Sequence, residues 1–315
     1  MSARSLVIRP FVEGRDEQAW ISISNEYLGH FYGDDYTPIG QEDMEWSRRA
    51  PWYDPSEMFV AELSGEPIGI LFAHVDKLGR RREGIIGVRV RLRYVGSEHE
   101  RSLILLALED LRSRGILYAR IWVRDNMAEL IRLLEREGFK RIRTFSTMKM
   151  RLSELRHGIG ECERVRFRPM ERTRHDIGLF TYLANQAFKE HFGFIPQTVA
   201  ETEAFLNRPG RDIHVILAYW GKTPVGYVEL TVSHKLLKQG KRTGEVSSIG
   251  VLRPYRRLGI GTALMLEGLE WLRERGMEEA ELVVDDDNPT KAMKLYEKVG
   301  FKVAYKDFVY ERPTS

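Results

Sequence analysis

The chain has 315 residues, 43% hydrophobic and 30% charged, which exceeds what one hydrophobic core ordinarily serves and fits two domains of roughly 150 residues. Lys and Arg number 49 against 46 Asp and Glu, a net charge of +3 with the signs mixed, so no general attraction to nucleic acid is implied, and no run approaches the roughly 20 apolar residues of a membrane span. A single cysteine, Cys162, excludes an internal disulfide and a cysteine-built metal cluster; with no apolar leader at the start, the expectation is a cytoplasmic protein with no metal site.

In chain order, LVIRPF (6–11) is a strand, and FVAELSGEPIGILFAHV (59–75) is two strands joined by a Gly/Pro turn. GRRREG (79–84) follows as a solvated basic hairpin tip. RYVGSEHERSLILLALEDLRSRG (93–115) carries a helix, and LIRLLEREGFK (130–140) a second one. Every one of these segments has an answer about 160 residues later, which is the signature of an internal repeat. The break between the copies falls near SELRHGIGECE (153–163), where glycine and charge interrupt both periodicities, giving domains at 1–155 and 160–315.

The second copy begins with the strand VRFRPM (165–170), followed by a helical region from about His175 to Leu206. Hairpin strands near 213–220 and 225–233 come next, with KLLKQGKRTG (235–244) as another basic tip. The strand GEVSSIGV (244–251) leads into RPYRRLGIGTALMLEGLEWLRERG (253–276), whose helix runs from about Gly261 to Arg275 with Met265, Leu269 and Leu272 on one face. After the strand EAELVVDD (279–286), Asn288 and Pro289 are suited to the N-cap and first position of a last helix that ends at Gly300. Ala292, Leu295 and Val299 supply its buried face, and VAYKDFVYER (303–312) is expected to close the domain as a final strand.

Gly259 and Gly261 stand where a helix is about to begin, although glycine is a poor helix former. A helix N-terminus presents unpaired amides at the positive end of its dipole, and glycines without Cβ atoms let a phosphate approach that backbone. Arg256 and Arg257 can add side-chain charge. A dinucleotide fingerprint would need a small residue where Leu264 stands, and a Walker loop needs a lysine that GIGTAL lacks.

The Arg-x-x-Gly-x-Gly spacing, the preceding hairpin and strand, and the DDDNPTKAMKLYEKVGF segment together resemble the GNAT family of N-acetyltransferases, across about residues 164–312. The resemblance implies an α/β (α+β) protein of two tandem GNAT folds, each a mixed, mostly antiparallel sheet flanked by helices. It implies acetyl-CoA as cosubstrate, its pantetheine arm along Ile249, Gly250 and Val251 and its pyrophosphate on Arg256, Arg257, Leu258, Gly259, Ile260, Gly261 and Thr262, with Asn288 as a further contact. An N–H of Ile249 or Val251 would stabilise the oxyanion. Glu245 is the first choice for the base that deprotonates an amine acceptor, Glu229 the reserve, and Tyr296 the acid that protonates the leaving thiolate. His191, Phe192 and Phe194 in ANQAFKEHFGFIPQT (184–198) are candidates for the acceptor pocket.

In the first copy Val95, Glu98 and Glu100 replace Arg256, Gly259 and Gly261, and Leu134 replaces Tyr296. That copy is expected to keep the fold and to have lost the catalysis, as in tandem enzymes of this family whose C-terminal copy is the active one. The alternative function is a non-catalytic acyl-CoA sensor or regulator.

Overall fold

Two units divide the chain in the computed structural model, which describes residues 5–50, 53–76, 79–155 and 164–315; Cys162 and most of the expected boundary segment lie outside the described residues. The first unit comprises Met1–Thr144 together with Asp307–Ser315, and the second comprises Phe145–Lys306. Among the described residues no helix is long and apolar enough to cross a membrane.

The first unit opens with β1 (Leu6–Pro10), α1 (Glu17–Tyr32) and α2 (Gln41–Arg48). An antiparallel run follows, β2 (Met58–Leu63), β3 (Glu66–His74) and β4 (Glu83–Val90), then α3 (Glu98–Ser113), β5 (Tyr118–Arg124) and α4 (Ala128–Arg136). Leu103, Ile104, Ala107, Leu108 and Leu111 recur at helical spacing and bury one face of α3 against the sheet. After β6 (Lys140–Arg151), the second unit repeats the order with β7 (Val165–Pro169), α5 (Arg174–Phe188), α6 (Val199–Leu206), β8 (Arg211–Trp220) and β9 (Thr223–Ser233). It continues through α7 (His234–Lys238), β10 (Thr243–Val251), α8 (Ile260–Glu274), β11 (Glu279–Asp285), α9 (Ala292–Val299) and β12 (Lys302–Pro313). Met265, Leu269 and Leu272 are fully buried on α8, as their spacing requires. Gly268 lets that helix settle close to β9: a Cβ there would stand 3.1 Å from Leu230.

Three local expectations are corrected. The basic segment after β9 forms the short helix α7, started by the Ser233 hydroxyl accepting the Leu236 N–H at 3.4 Å. The last helix starts at Ala292, because Asn288 turns its carboxamide oxygen onto the N–H and hydroxyl of Thr290, at 2.8 and 2.7 Å, and so closes a separate turn instead of capping α9. The final strand closes the other copy: Asp307–Pro313 of β12 pairs antiparallel with Tyr118–Arg124 of β5, while Phe145–Arg151 of β6 pairs with β11. Period-two alternation fixes which face of a strand is buried and is blind to which sheet it joins.

Removing Asp307–Ser315 is therefore expected to strip hydrogen-exchange protection from those amides of Tyr118–Arg124 that face β12 and leave those facing β4, and those of β10, protected. Loss of protection in β11 instead would place the strand in the second unit.

Candidate active site

β10 and β11 run parallel but pair only over Thr243–Glu245 and Glu279–Glu281, after which they part. A β-bulge between Val246 and Ser248 shifts the register against β9 and re-aims the rest of the strand. The Leu252 N–H donates to the Val225 carbonyl at 2.8 Å. Because amides alternate along a strand, the N–H groups of Val251 and Ile249 face away from β9 into the opening beside β11. Gly250, between them, lies against α5: a Cβ would come within 2.7 Å of Ala187 Cβ and Tyr227 Cε1.

The loop leaving β10 ends in two left-handed residues, Arg257 at φ 66° and Gly259 at φ 84°. Gly259 is the N-cap of α8, has no side chain to offer, and a Cβ there would meet nothing within 4 Å. Among the described residues the first amides of α8 thus have no intrahelical acceptor and no side-chain cap, at the positive end of the helix. Arg256 does not reach toward that space. Its guanidinium donates to the backbone carbonyls of Val251 and Ala187, both at 3.0 Å, and to Glu190 at 3.2 Å, clamping the loop onto α5.

The first unit shows what happens when such a terminus is filled from within. Gly96, at φ 72°, occupies the place of Arg257, and Glu100 that of Gly261. The Glu100 carboxylate folds back to accept the Gly96 N–H at 2.6 Å, while the Ser97 hydroxyl accepts the His99 N–H at 3.2 Å. Burial pushes the Glu100 carboxyl up to about 7. Glu98 stays on the surface beside Arg101 at 3.4 Å.

The two candidate bases have different environments. Glu245 sits where β10 is still paired with β11, short of the opening, and its half-exposed carboxylate lies 3.7 Å from Arg211. Glu229, on β9 opposite Ser248, is 6% exposed, and its Oε1 has no hydrogen-bond partner among the described residues. Burial first, and the charge of Glu245 second, push its carboxyl up to about 7. It shares a face with hydroxyls that pair across the strands, Tyr227 with Ser248 at 2.6 Å and Thr231 with Ser247 at 2.8 Å. The serines gave no signal in the sequence, because the bulge that aims them is a property of strand pairing.

Tyr296 is buried on α9 beside Phe301, with ring centroids 6.2 Å apart. Its phenol forms no hydrogen bond among the described residues, is held above its ordinary range by burial, and lies within electrostatic reach of Tyr227. His191 packs on Phe188, centroids 4.3 Å apart, and burial together with Arg256 lowers its affinity for a proton.

Comparison with known proteins bears on this arrangement. Residues 180–301 match the acetyltransferase (GNAT) family, and that segment contains the opening between strands, the loop, Glu229 and Tyr296. The chain carries a GNAT acetyltransferase domain. It is 32% identical over 142 residues to a mycothiol acetyltransferase of Thermobispora bispora, a match that spans 42% of this chain and 46% of that protein. Against the mycothiol acetyltransferase of Nocardiopsis dassonvillei the identity is 25% over 311 residues, 89% of each chain. In structure it is similar to a GCN5-related N-acetyltransferase of Sphaerobacter thermophilus, with a TM-score of 0.72 and 21% identity over 98% of this chain and 96% of that one. A tandem GNAT protein of the clavulanic acid biosynthesis pathway superposes with a TM-score of 0.74 and 16% identity over 99% of each chain. The likeness of fold extends over both units.

Within this GNAT domain, burial pushes the Glu229 carboxyl up to about 7 from an ordinary 4.5, so the fold favours its protonated form. Its ionisation therefore destabilises the protein progressively from the ordinary value up to about 7, and fully above that. Glu229→Gln is expected to leave stability nearly unchanged at about pH 4.5 and to raise it by on the order of 3 kcal/mol at about pH 8, measured by urea unfolding. Equal effects at both values would contradict the buried, unpartnered carboxyl.

Proposed function

We propose that the second unit is an N-acetyltransferase that moves acetyl from acetyl-CoA to an amine acceptor by direct transfer in a ternary complex, and that the first unit keeps the fold without the catalysis. The pair of loops carries this reading. In one copy the helix N-terminus is closed by its own carboxylate; in the other, glycine replaces that glutamate and the amides stay open to an outside anion. The names of the mycothiol acetyltransferase relatives support acetyl transfer as the chemistry.

The residues present fit acetyl-CoA. Amides of residues 257–262 would hold its pyrophosphate, and the outward N–H groups of Ile249 and Val251 would flank the arm. When bound, acetyl-CoA supplies the activated acyl thioester. Arg256 fixes the loop through Val251, Ala187 and Glu190 and so preserves the spacing between strand amides and helix amides. The N–H of Val251 or Ile249 donates to charge developing on the acyl oxygen. Glu229 is the base we favour over Glu245: a carboxyl poised at about 7 is half ionised at neutral pH and is basic enough to take a proton from an ammonium acceptor, directly or through water. Tyr296, kept protonated by burial, gives its proton to the departing sulfur. At the position of Glu229 the first unit has Phe72, and at that of Tyr296 it has Leu134, so the losses there coincide with the closed loop.

Gly261→Glu is expected to close the second loop as Glu100 closes the first, lowering acetyl-CoA affinity about 100-fold or more in calorimetry while the melting temperature holds. Unchanged affinity would remove the loop from the site. Tyr296→Phe is expected to cut turnover roughly 100-fold, read as CoA release with a panel of amines, with acetyl-CoA affinity preserved. The wild-type kcat/KM should rise with pH through about 7 and lose that limb in Glu229→Gln; an unaltered limb would return the role to Glu245.

A further inference from the structure

The first unit holds an arginine with no anionic partner at a position where its counterpart tolerates only glycine. Arg89 on β4 stands opposite Ile70 on β3, two residues before Arg91, whose N–H donates to the Ile68 carbonyl at 2.8 Å. That is the register place of Gly250, opposite Tyr227 and two residues before Leu252, in the second unit. The Arg89 side chain crosses to α1, where Nη1 donates to the buried Ser24 hydroxyl at 2.8 Å, and its guanidinium carbon lies 5.8 Å from the centroid of the Phe72 ring.

Neighbouring arginines of this unit are paired: Arg9 with Asp16 and Glu62, Arg91 with Glu26, Arg114 with Glu57 and Asp110, Arg120 with Glu83 and Glu311. Arg89 has no carboxylate within salt-bridge distance among the described residues, although burial is strong enough to lower its hold on its proton. Its electrostatic neighbours are the phenols of Tyr27, Tyr32 and Tyr36. The Tyr27 hydroxyl is buried beside the Glu100 carboxyl. Tyr36 is held in place by donating to Asn25 at 2.7 Å, whose carboxamide also clasps the N–H and carbonyl of Ile39. The cation therefore lies among three phenols and the Phe72 ring, with no carboxylate in salt-bridge distance among the described residues.

We propose that Arg89 is the anchor of a second ligand site, in the first unit, that takes a small organic monocarboxylate. A planar guanidinium matches a carboxylate with two parallel hydrogen bonds, and Ser24 and Tyr27 can complete the set. The single positive charge of Arg89 balances a monoanion and leaves a phosphate dianion half neutralised. The walls of Phe72 and Tyr36 suit an apolar or aromatic body on the acid.

The test titrates the full chain with acetate and with benzoate in a calorimeter, inorganic phosphate serving as the control, and repeats it with Arg89→Met and Arg89→Lys. The expected result is saturable binding of one or both carboxylates, at least tenfold weaker in Arg89→Met and intermediate in Arg89→Lys, with phosphate weaker than either acid. Acetyl-CoA affinity of the Arg89→Met chain should match wild type. The ligand-free Arg89→Met chain should melt at or above the wild-type temperature, since it removes a desolvated, unpaired charge. Absence of carboxylate binding to wild type, equal binding by Arg89→Met, phosphate binding tighter than carboxylate, or a lower melting temperature for Arg89→Met, which marks Arg89 as structural, would each overturn the proposal.

Discussion

Backbone amides at the start of a helix must find acceptors, and in this protein the two copies of one fold meet that requirement in opposite ways. At α3 the acceptors are internal, a serine hydroxyl and the Glu100 carboxylate. At α8 a left-handed glycine stands where the cap would be, Ile260 and Gly261 carry no acceptor and no side chain caps the helix, so the requirement falls on solvent or on a ligand. The same local physics makes one helix start self-sufficient and the other receptive to an anion. The opening between β10 and β11, the clamp from Arg256 and the buried chemistry of β9 all gain their functional meaning from that receptive end.

The buried acids extend the contrast. Glu100 and Glu229 are both desolvated to about 7, yet they differ in what surrounds them. Glu100 accepts a backbone hydrogen bond, which ties one oxygen to a structural task. Glu229 accepts none at Oε1 and sits among paired hydroxyls, an arrangement unfavourable to folding and favourable to proton transfer. An unsatisfied polar atom in a core is most readily understood where a reaction uses it.

Divergence of the copies has also redistributed charge along the equivalent strands. Where the second unit has glycine pressed between Ala187 and Tyr227, the first has Arg89 reaching to Ser24. Where the second has a carboxyl on the central strand, the first has Phe72 under that guanidinium. The first unit thus exchanged an acid for a cation on the helical side of its sheet and closed its anion-binding loop.

Much of this was legible in the linear sequence. The repeat, the helix faces of α8 and α9, the paired glycines and the glutamates that replace them depend on period and side-chain type, which the chain itself carries. Tertiary structure decided what depends on partners distant along the chain. It sent β12 to the sheet of the other copy, because alternation does not encode which edge a strand joins. It ties Arg256 to the carbonyls of Ala187 and Val251, which meet its guanidinium only in the fold. It buried Glu229 and left Glu245 half-exposed, and the free energy of ionising a carboxyl depends on burial and on neighbouring charge, neither of which is written in the residues beside it.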